Sequence, residues 1–150
     1  MGSSIVVGSD DFDPHDWPFF WMTQAVGRYL QKLEHGLKRA GLDVSRWRVL
    51  MCVGNSTISV GEIADLAIVK LPTMMKIIQR MEADGLVTCK TRPSDGRFTD
   101  VSLTDKGCKA RRTAWDIANA IYASSFKHIS TKDQRFLNDL LKDVFDRLAE

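Results

Sequence analysis

Apolar residues recur in steps of three and four along most of the chain. Met22, Ala25, Val26, Tyr29, Leu30, Leu33 and Leu37 share one face of a helix opening at Trp17 and Pro18 and running to about residue 39. Asp16 is placed to cap it and Gly41 to stop it. Asp43 heads a second helix over residues 44–53, with Trp47, Leu50 and Met51 as its apolar set; Gly54, Asn55 and Ser56 break it. Ser59 starts a short third helix, with Glu62 as its capping-box partner and Ile63, Ala64, Leu66 and Ala67 as its apolar side.

Ile68 and Val69 lead directly into a fourth helix over residues 70–84, in which Met74, Ile77, Ile78 and Met81 fall at i, i+3, i+4 and i+7. Pro72 suits its first turn, where the missing N–H has no partner to lose, and Gly85 ends it. Two helices joined this tightly predict a helix-turn-helix. Past Gly85 the period changes. Leu86, Val87, Cys89 and Thr91 make a β-favouring run, residues 92–97 read as a turn through Pro93, Ser94, Asp95 and Gly96, and Val101 and Leu103 alternate with Asp100 and Ser102 as a half-buried return strand.

Thr104 then caps a long helix to about residue 125, with Ala114, Trp115, Ile117, Ala118, Ile121 and Tyr122 as its apolar positions, and Ser130 caps a last one. There Phe136, Leu137, Leu140, Leu141, Val144, Phe145 and Leu148 keep the helical spacing almost to the C-terminus. So broad a stripe on a terminal helix calls for a partner surface, and a second copy of the chain is the economical one. The predicted fold is mainly α with a small β-hairpin wing, a winged helix-turn-helix over residues 42–103. Residues 16–41 and 104–150 form a helical dimerisation region, and residues 1–15 a loose acidic arm.

Composition refines this picture at three points. The chain has 150 residues, 44% of them hydrophobic, enough for one domain with a packed core. The net charge of +2 says little, but residues 70–112 hold ten basic against five acidic side chains, a local excess that suits phosphate contact. Cys52, Cys89 and Cys108 lie far apart without metal-binding spacing, and His15, His35 and His128 have neither metal-ligand spacing nor a paired nucleophile. No catalytic residue, metal or cofactor is therefore expected. The absence of a signal-peptide layout or an apolar run of about 20 residues adds the expectation of a reduced, cytoplasmic protein without membrane attachment.

The order of these elements resembles the MarR (multiple antibiotic resistance regulator) family of bacterial winged-helix transcription factors. The resemblance covers roughly residues 20–148 and is carried by Trp47-Arg48-Val49-Leu50, Glu62-Ile63-Ala64, Pro72-Thr73, Met81-Glu82-Ala83-Asp84-Gly85-Leu86-Val87, Asp95-Gly96-Arg97 and Leu103-Thr104-Asp105-Lys106-Gly107. It implies a homodimer whose terminal helices interlock and whose two winged lobes read a palindromic operator in double-stranded DNA. It also implies that Arg97 is a minor-groove arginine and Asp95 the acid that orients it.

With Met74, Ile78 and Met81 turned to the core, Pro72, Lys76 and Gln79 occupy the outer helical face, flanked by Thr73, Met75 and Arg80. A recognition helix presents its N-terminal residues to base edges. Thr73 and Lys76 are the main candidates there, Met75 suits a thymine methyl, and Arg80 a phosphate. Lys90 and Arg92 neutralise phosphates from the strand.

Arg46 departs from the resemblance, which has a neutral residue before the tryptophan of the second helix. Beside Trp47, it either pairs with an acid or a helix end, or offers a fork to a carboxylate. The second alternative makes the effector a small aromatic acid, with Trp17, Phe20, Trp21, Gln24 and Arg28 as further lining residues, since the aromatics at 17–21 cannot all point one way. Two rival readings remain: a thiol-based redox sensor, for which Cys108 beside Lys106 and Lys109 is the candidate, and a winged-helix protein-interaction module that never touches DNA.

Overall fold

In the computed structural model, which describes residues 11–149, the chain runs through six helices and three short strands. In order these are α1 (Pro18–Arg39), α2 (Val44–Val53), β1 (Ile58–Ser59), α3 (Val60–Ala67), α4 (Leu71–Ala83), β2 (Val87–Arg92), β3 (Asp95–Leu103), α5 (Asp105–Ser125) and α6 (Thr131–Arg147). The expected mainly α fold with a hairpin wing is the one observed. Two compact units divide it after Ala118, within α5. Of the N-terminal arm, residues 1–10 lie outside the described residues.

The caps explain most of the boundaries. Asp43 accepts the Arg46 N–H at 2.8 Å to open α2, and Ser59 and Glu62 form a reciprocal capping box at 3.2 Å each way. Gly85, at φ 75°, closes α4 with the Leu86 N–H bonded to the Met81 carbonyl at 2.9 Å. Thr104 Oγ accepts the Gly107 N–H at 3.0 Å at the start of α5. Asp16 does not cap α1. It belongs to a 3₁₀ turn, Pro14–Asp16, that Asp13 caps through the His15 N–H, so Trp17 is left at the N-cap without a side-chain cap bond.

In the first unit, Leu33 and Leu37 of α1, Val49 and Leu50 of α2, Ile63 of α3, Met74 and Met81 of α4, Val87 and Val101 of the hairpin and Ala114 of α5 are fully buried. Leu66, expected on the apolar side of α3, is instead exposed. The sheet is antiparallel in the order β1-β3-β2, with Val101 facing Ile58 on one side and Cys89 on the other. A two-residue strand such as β1 has no periodicity to show in a sequence. The wing also differs from its expected form: β3 starts at Asp95, so Asp95, Gly96 and Arg97 belong to the strand and the turn shrinks to Pro93 and Ser94. Pairing of Arg92 with Asp95, past an irregularity at Thr91, extends the ladder to the tip.

The second unit holds the end of α5 and all of α6. Ser130 caps α6 by accepting the Asp133 N–H at 3.1 Å, and the Tyr122 hydroxyl is bonded to Gln134. On α6, Phe136, Leu137, Leu140, Leu141, Phe145 and Leu148 are all exposed.

Candidate nucleic-acid interface and effector site

Helix α4 buries Met74, Ile78 and Met81 and leaves Pro72, Thr73, Met75, Lys76, Gln79 and Arg80 exposed. The seven-residue spacing of the buried set dictates this division, because it commits one stripe of the helix to the core. Between α4 and β3 runs a groove of about 380 Å³, lined among others by Met75, Gln79, Arg97 and Phe98. The outer face of α4 and the wing tip thus border one depression.

At that tip Asp95 holds Arg97 three times. Its carboxylate accepts the Arg97 backbone N–H at 3.1 Å, Nε at 3.0 Å and Nη2 at 2.7 Å. These hydrogen bonds keep the Asp95 carboxyl below the usual carboxylate range. The arginine side chain nevertheless remains 85% exposed, so it is oriented without being covered. Lys90 is also exposed. Arg92 is placed differently: its guanidinium grips Asp100 through Nη2 at 2.9 Å and Nε at 3.2 Å and lies 4.5 Å above the Phe98 ring. Asp100 already neutralises much of the charge that Arg92 was expected to offer a phosphate.

The seven candidate effector residues do not form one site within the chain. Phe20 and Trp21 cluster with His15 at the start of α1, where Trp21 Nε1 donates to the His15 carbonyl at 2.6 Å, whereas Trp17 packs edge-on against Phe12 and Phe19. Gln24 and Arg28 are exposed on the next turns. Trp47 meets Tyr29 edge to face at 6.3 Å, and its indole N–H is buried without an acceptor among the described residues. Arg46, one position away, points elsewhere. It donates to Asp84 at 2.9 Å and lies 3.7 Å from Asp43. It shares a cavity of about 390 Å³ with Ala40, at the far end of α1 from Trp21, and with Lys106 and Lys109. At 1.5 Å per residue, Ala40 lies about 28 Å along the helix from Trp21.

Tyr29, Asp84 and the two lysines are the members that sequence reasoning left out of the site. The lysines were visible as neighbours of Cys108, but nothing in the chain pattern brings α5 to Arg46. Of the cysteines, burial pushes the Cys52 thiol up, and burial together with Glu82 pushes Cys89 up to about 11. Neither has the character of a reactive thiolate. Cys108 is half-buried. No group of acids, histidines and cysteines among the described residues is arranged to hold a metal ion, and no described helix is long and apolar enough to cross a membrane.

Comparison with known proteins agrees with this architecture. The family model described as MarR family matches residues 40–97, which span α2 through the wing tip. The chain is 40% identical over 141 residues to the HTH-type transcriptional repressor IacR of Pseudomonas putida, covering 93% of this chain and 84% of that protein. Among solved structures, CouR from Rhodococcus jostii RHA1 bound to p-coumaroyl-CoA superposes with a TM-score of 0.80 at 21% identity, over 88% of this chain and 94% of that one. NadR in complex with 4-hydroxyphenylacetate does so with a TM-score of 0.75 at 22% identity, over 83% and 89%. With its fold matched by these structures and its sequence by a repressor along nearly its whole length, the chain belongs to the MarR family of winged helix-turn-helix transcriptional regulators.

Proposed function

We propose that the protein is a homodimeric repressor that reads a palindromic operator with two copies of α4 and its wing, and that a small aromatic acid releases it. The observation that carries the DNA reading is the Asp95–Arg97 tip. An arginine anchored by three hydrogen bonds yet almost fully exposed is preorganised for a phosphate-lined groove rather than for the core. Thr73, Met75, Lys76 and Gln79 on the exposed face of α4 read base edges in the major groove, and Arg80 and Lys90 meet phosphates.

Dimerisation is supported by the exposed apolar stripe of α6, from Phe136 to Leu148. Six large apolar side chains on one solvent-facing helix are stable in water only when covered. The 40% identity to a protein described as a repressor supports repression, and a protein acting on bacterial DNA works in the cytoplasm. The aromatic-acid effector is supported by the Trp47 N–H beside Tyr29, which is buried with no acceptor among the described residues. The structural relative that carries 4-hydroxyphenylacetate adds to it.

Selection of binding duplexes from a random-sequence library tests the whole reading. Enrichment of a palindrome, bound by a dimer with an affinity that falls steeply with salt, is the expected result. Failure to enrich any duplex, or binding indifferent to salt, would reduce the winged lobe to a protein-interaction module.

A further inference from the structure

We infer that Leu71 and Met75 are specificity-determining residues of α4, which select thymine in the operator by its C5-methyl group. This rests on the DNA reading above and adds which base is recognised and by what chemistry, with Leu71 as a further member of the reading surface. A recognition helix brings its first turns to the base edges. In α4 those turns begin Leu71-Pro72-Thr73-Met74-Met75, and Met74 is buried. Leu71, Pro72, Thr73 and Met75 are exposed, and of these four side chains only the Thr73 hydroxyl is a strong hydrogen-bonding group. So apolar a surface cannot read the donors and acceptors of the major groove. The apolar feature that the groove presents is the thymine methyl.

Leu71 and Met75 stand four residues apart and therefore share one edge of the helix. Both are about half exposed, and with Val60 and Phe98 they line the groove toward the wing. Gln79 follows Met75 along the same groove, and its amide suits adenine N6 and N7. Glu82, the acid of that edge, lies nearly two turns beyond Met75 and accepts the Cys89 N–H at 2.9 Å. Lys70 and Lys76, both exposed, border the apolar edge with positive charge, which fits a base step between phosphates better than the apolar face of another protein. Selection works in both directions. A methyl group against Leu71 or Met75 sheds water from both surfaces, whereas a cytosine amino group or the guanine O6 and N7 in its place would be covered without a partner.

Deoxyuridine, which pairs as thymidine does but lacks the methyl, supplies the test. The full chain is titrated by fluorescence anisotropy against the duplex enriched from the random library and against copies carrying deoxyuridine at one thymine of each half-site in turn. Circular dichroism melts control for folding. At one or two thymines per half-site, loss of the methyl is expected to weaken wild type about fourfold. Leu71→Ala and Met75→Ala are each expected to weaken binding to the thymine duplex and to abolish the sensitivity at one of those positions, so that thymine and uracil duplexes bind alike. A merely structural role would weaken both duplexes by the same factor and keep their ratio. If Leu71→Ala fails to fold, Met75→Gln, at a half-exposed position, carries the same comparison. Wild type indifferent to every deoxyuridine, or variants that keep the wild-type ratio, overturns thymine selection while leaving the DNA reading intact. Failure of wild type to bind any duplex overturns both.

Discussion

Asp95 grips Arg97 through the backbone and through two guanidinium nitrogens while the arginine stays exposed at the wing tip. The pair fixes a direction for the charge without burying it, at the border of the groove that also contains Met75 and Gln79 of α4. Arg97→Ala is therefore expected to weaken operator binding by roughly five- to 150-fold and to flatten its salt dependence by about one unit. Fluorescence anisotropy across a salt series measures both, and an unchanged slope would remove the wing from the interface.

The same pair sets a pH response. Asp95 titrates below the usual carboxylate range because the charged form accepts bonds from Arg97. Its unfolded value is the ordinary one, so the pairing is intact at neutral pH and is lost as pH falls through the lowered value. Carboxyl NMR titration should place Asp95 below the ordinary aspartate value, and Arg97→Ala should return it toward that value. A midpoint unmoved by that substitution would show that the hydrogen bonds do not persist in solution.

Gly107 lies on the third position of α5 against the chain that leaves α4. A Cβ there would run into the Leu86 carbonyl oxygen, which already accepts the Thr104 N–H at 3.1 Å. Backbone cannot swing aside as a side-chain tip can. Gly107→Ala should cost about 1–3 kcal/mol, read as a lower urea midpoint with an unchanged m-value.

Ile68 closes α3 at φ 56° and ψ 50°, the left-handed conformation that Gly85 supplies at the end of α4. A β-branched side chain is strained there, and this one is 91% exposed, so packing does not compensate. Ile68→Asn should raise stability by about 1 kcal/mol. If the urea midpoint falls instead, the isoleucine makes a contact with another molecule that offsets its strain.

Cys89 should be a poor nucleophile. Burial and the Glu82 carboxylate, which also accepts the Cys89 backbone N–H at 2.9 Å, push its thiol up to about 11. Very little thiolate is present at pH 8, and it grows only as pH rises toward that value. Alkylation at pH 8 should leave Cys89 largely unmodified, whereas Glu82→Gln should accelerate it by removing the carboxylate charge beside the thiol. Fast modification of the wild-type residue would make Cys89 a candidate redox sensor beside Cys108.

Local patterning was enough to specify the helices, their order and the two faces of α4. Each depends on local periodicity and on caps such as Asp43, Ser59 and Gly85, whose effects are confined to a turn or two of chain. Asp95-Gly96-Arg97 was legible as a charged tip for the same reason, since its partners lie two residues apart, although the ladder that draws it into β3 was not. β1 was invisible because two residues carry no period. Which partners the arginines take emerged only from long-range packing. Arg92 turns to Asp100 across the hairpin, and Arg46 turns to Asp84, 38 residues away, in a cavity with Lys106 and Lys109 rather than among the aromatics of α1. Pattern along a chain specifies which side of a helix is wet; which charges meet depends on how distant elements pack, and no spacing of three or four residues encodes it.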